Sequence, residues 1–425
     1  MIWRALYTLA LRAAAPFILL RLWSLGWREP GYHRHIRERF GYYRDGRGPG
    51  PAPRPLLWLH AVSVGEARGS AALVRALAAA HPDHDLLVTC TTAAGREALK
   101  ELHGETVQVA WLPYDFPGSA RRFLEHFRPR LALLIETELW PNLVAACRAF
   151  GVPVLLANAR MSEGSALAYG RLPGLAGPTL AALAVVCAQS EADAARLRSL
   201  GARRVEVTGN LKFDSTPDAA KSAAGKSWRA SLARPVLLLA STREGEEKIL
   251  LDALPAWDGK LLVLVVPRHP RRFDEVSALA VKDGFPVARR SRGEIPGAQD
   301  RVHLGDTMGE MDFYCATADV AVIGGSFVPR GGQNLIEACA AGVPVVFGPS
   351  MFNFAEAARL AVEAGAAHQA GDAAGGVAEA LRLLANAQER EKMAAAGRQL
   401  CETHRGATEK HLKLCAELLR VAARG

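Results

Sequence analysis

The sequence predicts an α/β protein made of two successive doubly wound domains with parallel sheets, preceded by a basic, apolar helix, and three observations carry that expectation. Short apolar runs alternate with amphipathic Ala/Leu/Arg stretches twice over, a polar segment near 215–232 separates the two series, and the first 54 residues have a composition of their own. Continuous apolar runs, rather than alternating ones, are what strands buried on both faces require. At 425 residues the chain is long for one core, and half of it is hydrophobic, which supplies two cores and argues against wholesale disorder.

Residues 1–54 hold ten Arg against Glu29, Glu38 and Asp45, so this stretch alone supplies +7 of the net charge of +9. Apolar residues interleaved with the arginines favour an anionic bilayer over nucleic acid as the partner. Residues 2–27, IWRALYTLALRAAAPFILLRLWSLGW, have nearly spanning length, but Arg4, Arg12 and Arg21 leave no uninterrupted run near 18 residues. No small-residue cleavage site follows, so a cleaved signal peptide fits poorly. Trp3, Trp23 and Trp27 flank the apolar centre, as a helix lying in the headgroup region requires, and a monotopic anchor is favoured over a full span. The plainer reading is a helix packed on the protein's own core.

A Pro/Gly-rich linker, GRGPGPAPRP at 46–55, ends this segment and places the first domain at 55–215. Its expected strands are LLWLH (56–60), DLLVTC (85–90), VQVAWLP (107–113), LALLIE (131–136), PVLLAN (153–158) and LAVVCAQ (183–189). Residues 216–232 read as an interdomain linker. The second domain, 233–425, restarts with PVLLLAS (235–241), LLVLVVP (261–267), RVHLG (301–305), VAVIGG (320–325) and VPVVFG (343–348), and its last helix is placed to cross back to the first domain. Two such domains are expected to face each other across a cleft at the carboxyl ends of their strands.

Candidate chemistry falls just past those strand ends, where helix N-termini present free N–H groups. In HAVSVGE (60–66) the first strand runs into a small-residue turn, and Glu66 opens the next helix, where the dipole is expected to keep it ionised as a general base toward a hydroxyl. The competing reading is an ordinary first-turn acid. IETELWPN (135–142) carries Glu136 and Glu138, of which one suits catalysis and one a helix cap; TGNLKFD (208–214) places Lys212 where an ammonium can meet a phosphate or carboxylate, although spacing alone favours a surface lysine. VVPRHPRRF (265–273) offers Arg268 to a phosphate. GGSFVPRGGQNLIEACAAGVPVV (324–346) places two double glycines before a helix bearing Asn334 and Glu337, a loop whose amides can approach a phosphate closely. GDTMGEM (305–311) sets Met308 and Gly309 to flank a base. Neither a dinucleotide-binding fingerprint nor a Walker P-loop is present, so hydride transfer and ATP hydrolysis lose support.

Asp83 and Asp85 form a nominal Asp-x-Asp at the wrong edge of the sheet, and no His/Cys/carboxylate cluster shows ligand spacing, so no metal is expected in the chemistry; His33 and His35 read as solvated. The seven cysteines, scattered and without a Cys-x-x-Cys pair, read as reduced thiols, with Cys90, Cys187 and Cys315 as small buried hydrophobes.

Together with the basic apolar start, ERFGYY (38–43), SVGE (63–66), LPYDFP (112–117), ETELWPN (136–142), ANARMS (157–162), LKFD (211–214), PRHPRRF (267–273), GDTMGE (305–310), GGQNLIEA (331–338) and FGPSMFNF (347–354) resemble, in order and over almost the whole chain, the 3-deoxy-D-manno-octulosonic acid (Kdo) transferases. That resemblance implies a GT-B glycosyltransferase with two Rossmann-like domains, moving Kdo from CMP-Kdo to the lipid A precursor at the cytoplasmic face of the inner membrane, with no metal or other cofactor. By motif it implies Glu66 as proton acceptor, Glu136 and Lys212 as transition-state stabilisers, and a CMP site of Pro267, Arg268, Met308, Gly309, Glu310, Asn334, Leu335, Ile336 and Glu337. Gln333 and Ser350 stand where the family commonly has His, and Leu335 where it commonly has Pro. The competing functions are a nucleotide-sugar epimerase of the same fold and a non-catalytic nucleotide-sugar-binding membrane protein.

Overall fold

The structure, a computed structural model, describes residues 2–43, 54–255 and 260–422; residues 46–53 of the expected linker lie outside the described residues. The chain divides into two compact units, Met1–Ser215 with Arg405–Gly425, and Thr216–His404.

The first unit is built on a seven-stranded parallel sheet. Its strands are β1 (Leu56–His60), β2 (Asp85–Cys90), β3 (Gln108–Trp111), β4 (Pro129–Ile135), β5 (Val154–Ala159), β6 (Val185–Ala188) and β7 (Val205–Val207), in the order β3-β2-β1-β4-β5-β6-β7. Winding reverses between β1 and β4, which makes their carboxyl ends the topological switch point. One face of the sheet packs Trp58 edge-on against Phe123, ring centroids 4.6 Å apart. The other face is covered in part by the helix Ala407–Ala422, whose Cys415 and Leu418 join the core of Leu57, Leu59 and Leu133. This is the returning last helix. It is pinned by His411, whose Nδ1 bonds the Ala407 carbonyl at 2.7 Å while its Nε2 accepts from the Asn158 N–H at 3.1 Å, a pairing that requires the neutral Nδ1–H tautomer.

The N-terminal helix Ile2–Arg28 belongs to this unit, and its less exposed positions Tyr7, Leu11, Ala14, Ala15, Ile18, Leu22 and Leu25 recur at helical spacing, so one stripe faces the protein. Thr8 and Asn142 hydrogen-bond at 3.0 Å across that contact. The opposite stripe is also apolar and is left exposed: Leu6, Leu9, Phe17, Leu20, Trp23 and Trp27. It is the described helix long and apolar enough to cross a membrane. ERFGYY locks the following turns onto the sheet edge: Glu38 accepts from the Trp111 N–H at 2.9 Å and from Arg96 at 3.1 Å, and Arg39 lies 3.9 Å above the Trp111 ring.

The second unit repeats the plan with β8 (Val236–Thr242), β9 (Leu262–Pro267), β10 (Val287–Arg289), β11 (Val302–Leu304), β12 (Val320–Ile323), β13 (Val345–Phe347) and β14 (Ala367–Gln369), all parallel, ordered β10-β11-β9-β8-β12-β13-β14. Its switch point lies between β8 and β12. Residues 216–232, expected as a linker, instead contain the helix Ala219–Ser231, capped by Asp218, which accepts from the Lys221 N–H at 3.0 Å. Gly225 lets this helix pass so close to Met311–Thr317 that a Cβ there would clash with the Phe313 carbonyl, and Trp228 stacks on Phe313. Polar composition concealed it.

Candidate active site

At the switch point of the first unit, β1 empties through Ser63 into the helix Val64–Gly69. Ser63 caps it, and the Glu66 carboxylate turns back to accept from the N–H of Val62, the residue before the cap, at 2.7 Å. The expectation that the helix dipole keeps Glu66 ionised is overturned. Burial, and next the charge of Glu136, push its carboxyl up to about 8, more than the Val62 and Ser63 hydrogen bonds bring it down. At neutral pH it is mostly protonated and poised to titrate.

Glu136 follows β4 with φ of +63°, a left-handed conformation unfavourable for a glutamate, and its N–H is held by the Ala157 carbonyl at 2.9 Å. This turn aims its carboxylate at the Lys212 ammonium, 3.0 Å away, both side chains 15% exposed. Burial alone would raise the Glu136 carboxyl, but Lys212, with Arg160, brings it below its ordinary value. Lys212 is thus no surface lysine. Its stem lies against the Glu66 helix, where a Cβ on Gly69 would stand 3.4 Å from its Cγ and Cε.

Glu138 is not the helix cap expected of one of the pair. It accepts from the Trp140 indole at 2.8 Å, and burial pushes it up to about 7. The cap of the following helix Pro141–Ala149 comes from a residue not singled out in the sequence, Asp115 of LPYDFP, which accepts from the N–H groups of Asn142 and Leu143 at 3.0 and 2.7 Å. His60, fully buried and neutral, stands 3.9 Å from Glu138 with its Nε2 unpartnered. Glu66, Glu136, Glu138 and Lys212 therefore form one cluster in which two carboxyls are pushed up toward neutrality and one is brought down, the separation of acid and base character that proton-transfer sites display.

At the switch point of the second unit, Glu246 is wholly buried and its carboxylate accepts from the backbone N–H groups of Arg243, Gly325, Ser326 and Phe327 at 2.5–3.1 Å. It ties the turn after β8 to the double-glycine turn after β12. The second double glycine follows with φ of +80° at Gly331 and +73° at Gly332, and Gly332 donates to the Gly325 carbonyl at 2.9 Å, so the loop closes on itself. Asn334 caps Ile336 at 3.1 Å, and Glu337 sits half-buried in the first turn of the helix Ile336–Ala341. Leu335 and Ile336, expected at the nucleotide, are 0% and 2% exposed; their side chains face the core, leaving only backbone to meet a ligand. At the end of β9, Pro267 is buried, and the N–H of Arg268 after it donates to the Thr242 carbonyl at 3.0 Å. After β11, Met308 is exposed, the Gly309 carbonyl accepts from Lys221 at 2.9 Å, and Glu310 pairs with Arg290 at 2.8 Å.

His81, Asp83 and His84 bring three ligand atoms within 4.8 Å of one another on the turn before β2, which corrects the expectation that no His/Cys/carboxylate cluster shows ligand spacing. It lies at the amino edge of the sheet, away from the carboxylate cluster.

Two successive Rossmann-like domains are the GT-B fold. It is shared with HepE from Anabaena, solved in complex with UDP (TM-score 0.60, 14% identity, covering 86% of this chain and 99% of that one), and with a UDP-GlcNAc 2-epimerase from Neisseria meningitidis (TM-score 0.59, 16% identity, 85% and 100%). Sequence narrows the class to an enzyme family. Residues 34–215 match the family described as 3-deoxy-D-manno-octulosonic-acid transferase (kdotransferase). The 3-deoxy-D-manno-octulosonic acid transferase of Bordetella pertussis is 47% identical over 96% of this chain and 98% of its own length, and that of Haemophilus influenzae is 35% identical over 97% and 98%. The chain belongs to the 3-deoxy-D-manno-octulosonic acid transferase family and is a glycosyltransferase.

Proposed function

We propose that the protein transfers Kdo from CMP-Kdo to the lipid A precursor lipid IVA, with inversion at the anomeric carbon. Full-length similarity to Kdo transferases carries the reading, and the titrating carboxyl of Glu66 beside an ion-paired Glu136 supports the mechanism. Ionised Glu66 takes the proton of the acceptor hydroxyl as its oxygen bonds to the anomeric carbon, and the bond from that carbon to the CMP phosphate oxygen breaks. A base near the working pH combines an accessible ionised form with strong proton affinity. The Glu136–Lys212 pair, already in place, stabilises charge without reorganising.

The second unit holds the donor through Arg268, the Met308–Glu310 turn and the Asn334–Glu337 segment, whose backbone groups, not the Leu335 and Ile336 side chains, meet the nucleotide. Cations rather than a divalent metal take up the charge of the leaving phosphate. The N-terminal helix, apolar on the stripe away from the protein, lies in the cytoplasmic face of the inner membrane and keeps the enzyme at its lipidic, phosphorylated acceptor. CMP release from CMP-Kdo, measured with and without lipid acceptor, tests the reading. A transferase releases CMP only with acceptor; release without it supports epimerase-type chemistry, and none in either case supports a sensor.

A further inference from the structure

Arg243 stands where the second sheet reverses its winding, directly after β8 and against β12. Its stem lies on the double-glycine turn, since a Cβ on Gly325 would come 3.2 Å from Arg243 Cγ. The hydrogen-bond partner of its guanidinium is the His269 ring, 3.0 Å away, rather than a carboxylate. That ring is neutral: burial and the charges of Arg243, Arg268, Arg271 and Arg272 lower it to about 4, so it orients Arg243 without cancelling its charge. Glu244, next in sequence, is exposed, and the two buried carboxylates that follow it are engaged elsewhere. Glu246 is saturated by four backbone N–H groups, and Glu247 pairs with Arg272 at 3.2 Å. Burial first, and then the charges of Arg330 and Arg271, disfavour the charge on Arg243, against which Glu246 acts in the opposite direction. A half-buried guanidinium held beside the exposed Arg271 and Arg330 lowers its energy by taking an anion.

The donor proposed above carries two anions on one carbon, because the anomeric carbon of a 2-keto sugar acid bears both the phosphate oxygen and a carboxylate. Two cations leaving neighbouring strands match that spacing. β8 and β9 are hydrogen-bonded neighbours, and the Arg268 N–H itself bonds the carbonyl of Thr242, the residue before Arg243. We propose that Arg243 is a specificity-determining residue for the donor, its guanidinium receiving the carboxylate of the acidic sugar while Arg268 serves the phosphate. The inference rests on the CMP-Kdo reading.

The test compares CMP, which lacks the carboxylate, with CMP-Kdo in wild type, Arg243→Met and Arg243→Lys. Loss of a bidentate guanidinium–carboxylate contact predicts a rise of roughly 10- to 100-fold in the KM for CMP-Kdo in Arg243→Met. The inhibition constant of CMP and the KM for lipid acceptor should change by less than about threefold, with Arg243→Lys intermediate for CMP-Kdo alone. Equal weakening of CMP and CMP-Kdo would overturn the proposal, since a phosphate contact or a purely structural role does that; an unchanged KM would overturn it as well. Failure of the parent reading looks different: the wild-type enzyme itself would neither bind CMP nor consume CMP-Kdo.

Discussion

Raising the pH from 6 to 8 should switch the enzyme on by ionising Glu66. With its carboxyl pushed up to about 8, first by burial and then by Glu136, Glu66 is ionised to about 1% at pH 6, about 9% at pH 7 and about half at pH 8. If the ionised form takes the acceptor proton, kcat/KM should rise about ninefold between pH 6 and 7 and about fivefold between 7 and 8, then level off. Initial rates of CMP release at limiting substrate, corrected for donor hydrolysis, give this profile for the free enzyme. Glu136→Gln removes the neighbouring negative charge and should move the rise to lower pH, whatever it does to the plateau. The shift also has a stability consequence of defined sign. Because the folded value lies above the unfolded one, this carboxyl's contribution is complete below about 4.5 and is lost as pH climbs through about 8. Glu66→Gln should therefore raise stability at pH 8 by roughly 2–3 kcal/mol, a figure reduced for the partial exposure of the side chain. A flat rate profile from pH 6 to 8, or turnover retained by Glu66→Gln, would refute the reasoning.

Four further outcomes are expected. Lys212→Met strands the buried Glu136 carboxylate and should cost about 3 kcal/mol in urea denaturation, most of it recovered in the Lys212→Met/Glu136→Gln double variant; simple additivity would contradict the pairing. Side-chain nitrogen NMR should find His411 as the neutral Nδ1–H tautomer from pH 5 to 8; with its value depressed to about 4, its contribution to stability is present above about 6.5 and lost as pH falls toward 4, and a charged ring at pH 6 would contradict this. Gly324→Ala places a Cβ 2.5 Å from the Ser241 carbonyl and must part the ends of β8 and β12, so the donor KM should rise about tenfold or more with the acceptor KM unchanged, whereas unchanged kinetics would contradict the close approach. Deleting residues 2–27 should weaken flotation with anionic liposomes, and undiminished flotation would remove the membrane role of the exposed apolar stripe.

Strands buried on both faces were legible because their apolar runs are continuous: LLWLH and DLLVTC coincide with β1 and β2 residue for residue. The edge strands β7, β10 and β14 were not anticipated. Each has three residues and one sheet neighbour, so none needs a run long enough to stand out from the surrounding polar sequence. The helix Ala219–Ser231 was hidden for a related reason, since Gly225 and Trp228 carry much of its packing and the remaining Ala, Lys, Ser and Arg form no apolar stripe. At the site, strand-end position pointed to Glu66, Glu136 and Arg268. Protonation did not follow from position, because the helix dipole at Glu66 is outweighed by burial beside another carboxylate that lies 70 residues away in sequence. The left-handed backbone of Glu136, its pairing with Lys212 and the His269–Arg243 contact are tertiary facts that no local pattern contains.

The most direct measurement is the mass of the lipid formed when purified full-length enzyme is incubated with CMP-Kdo and lipid IVA in the presence of a chelator. The account predicts a lipid heavier by one or more Kdo residues, formed equally well with chelator and absent with Glu66→Gln. Unmodified lipid with the donor intact, or the same product from Glu66→Gln, would contradict it.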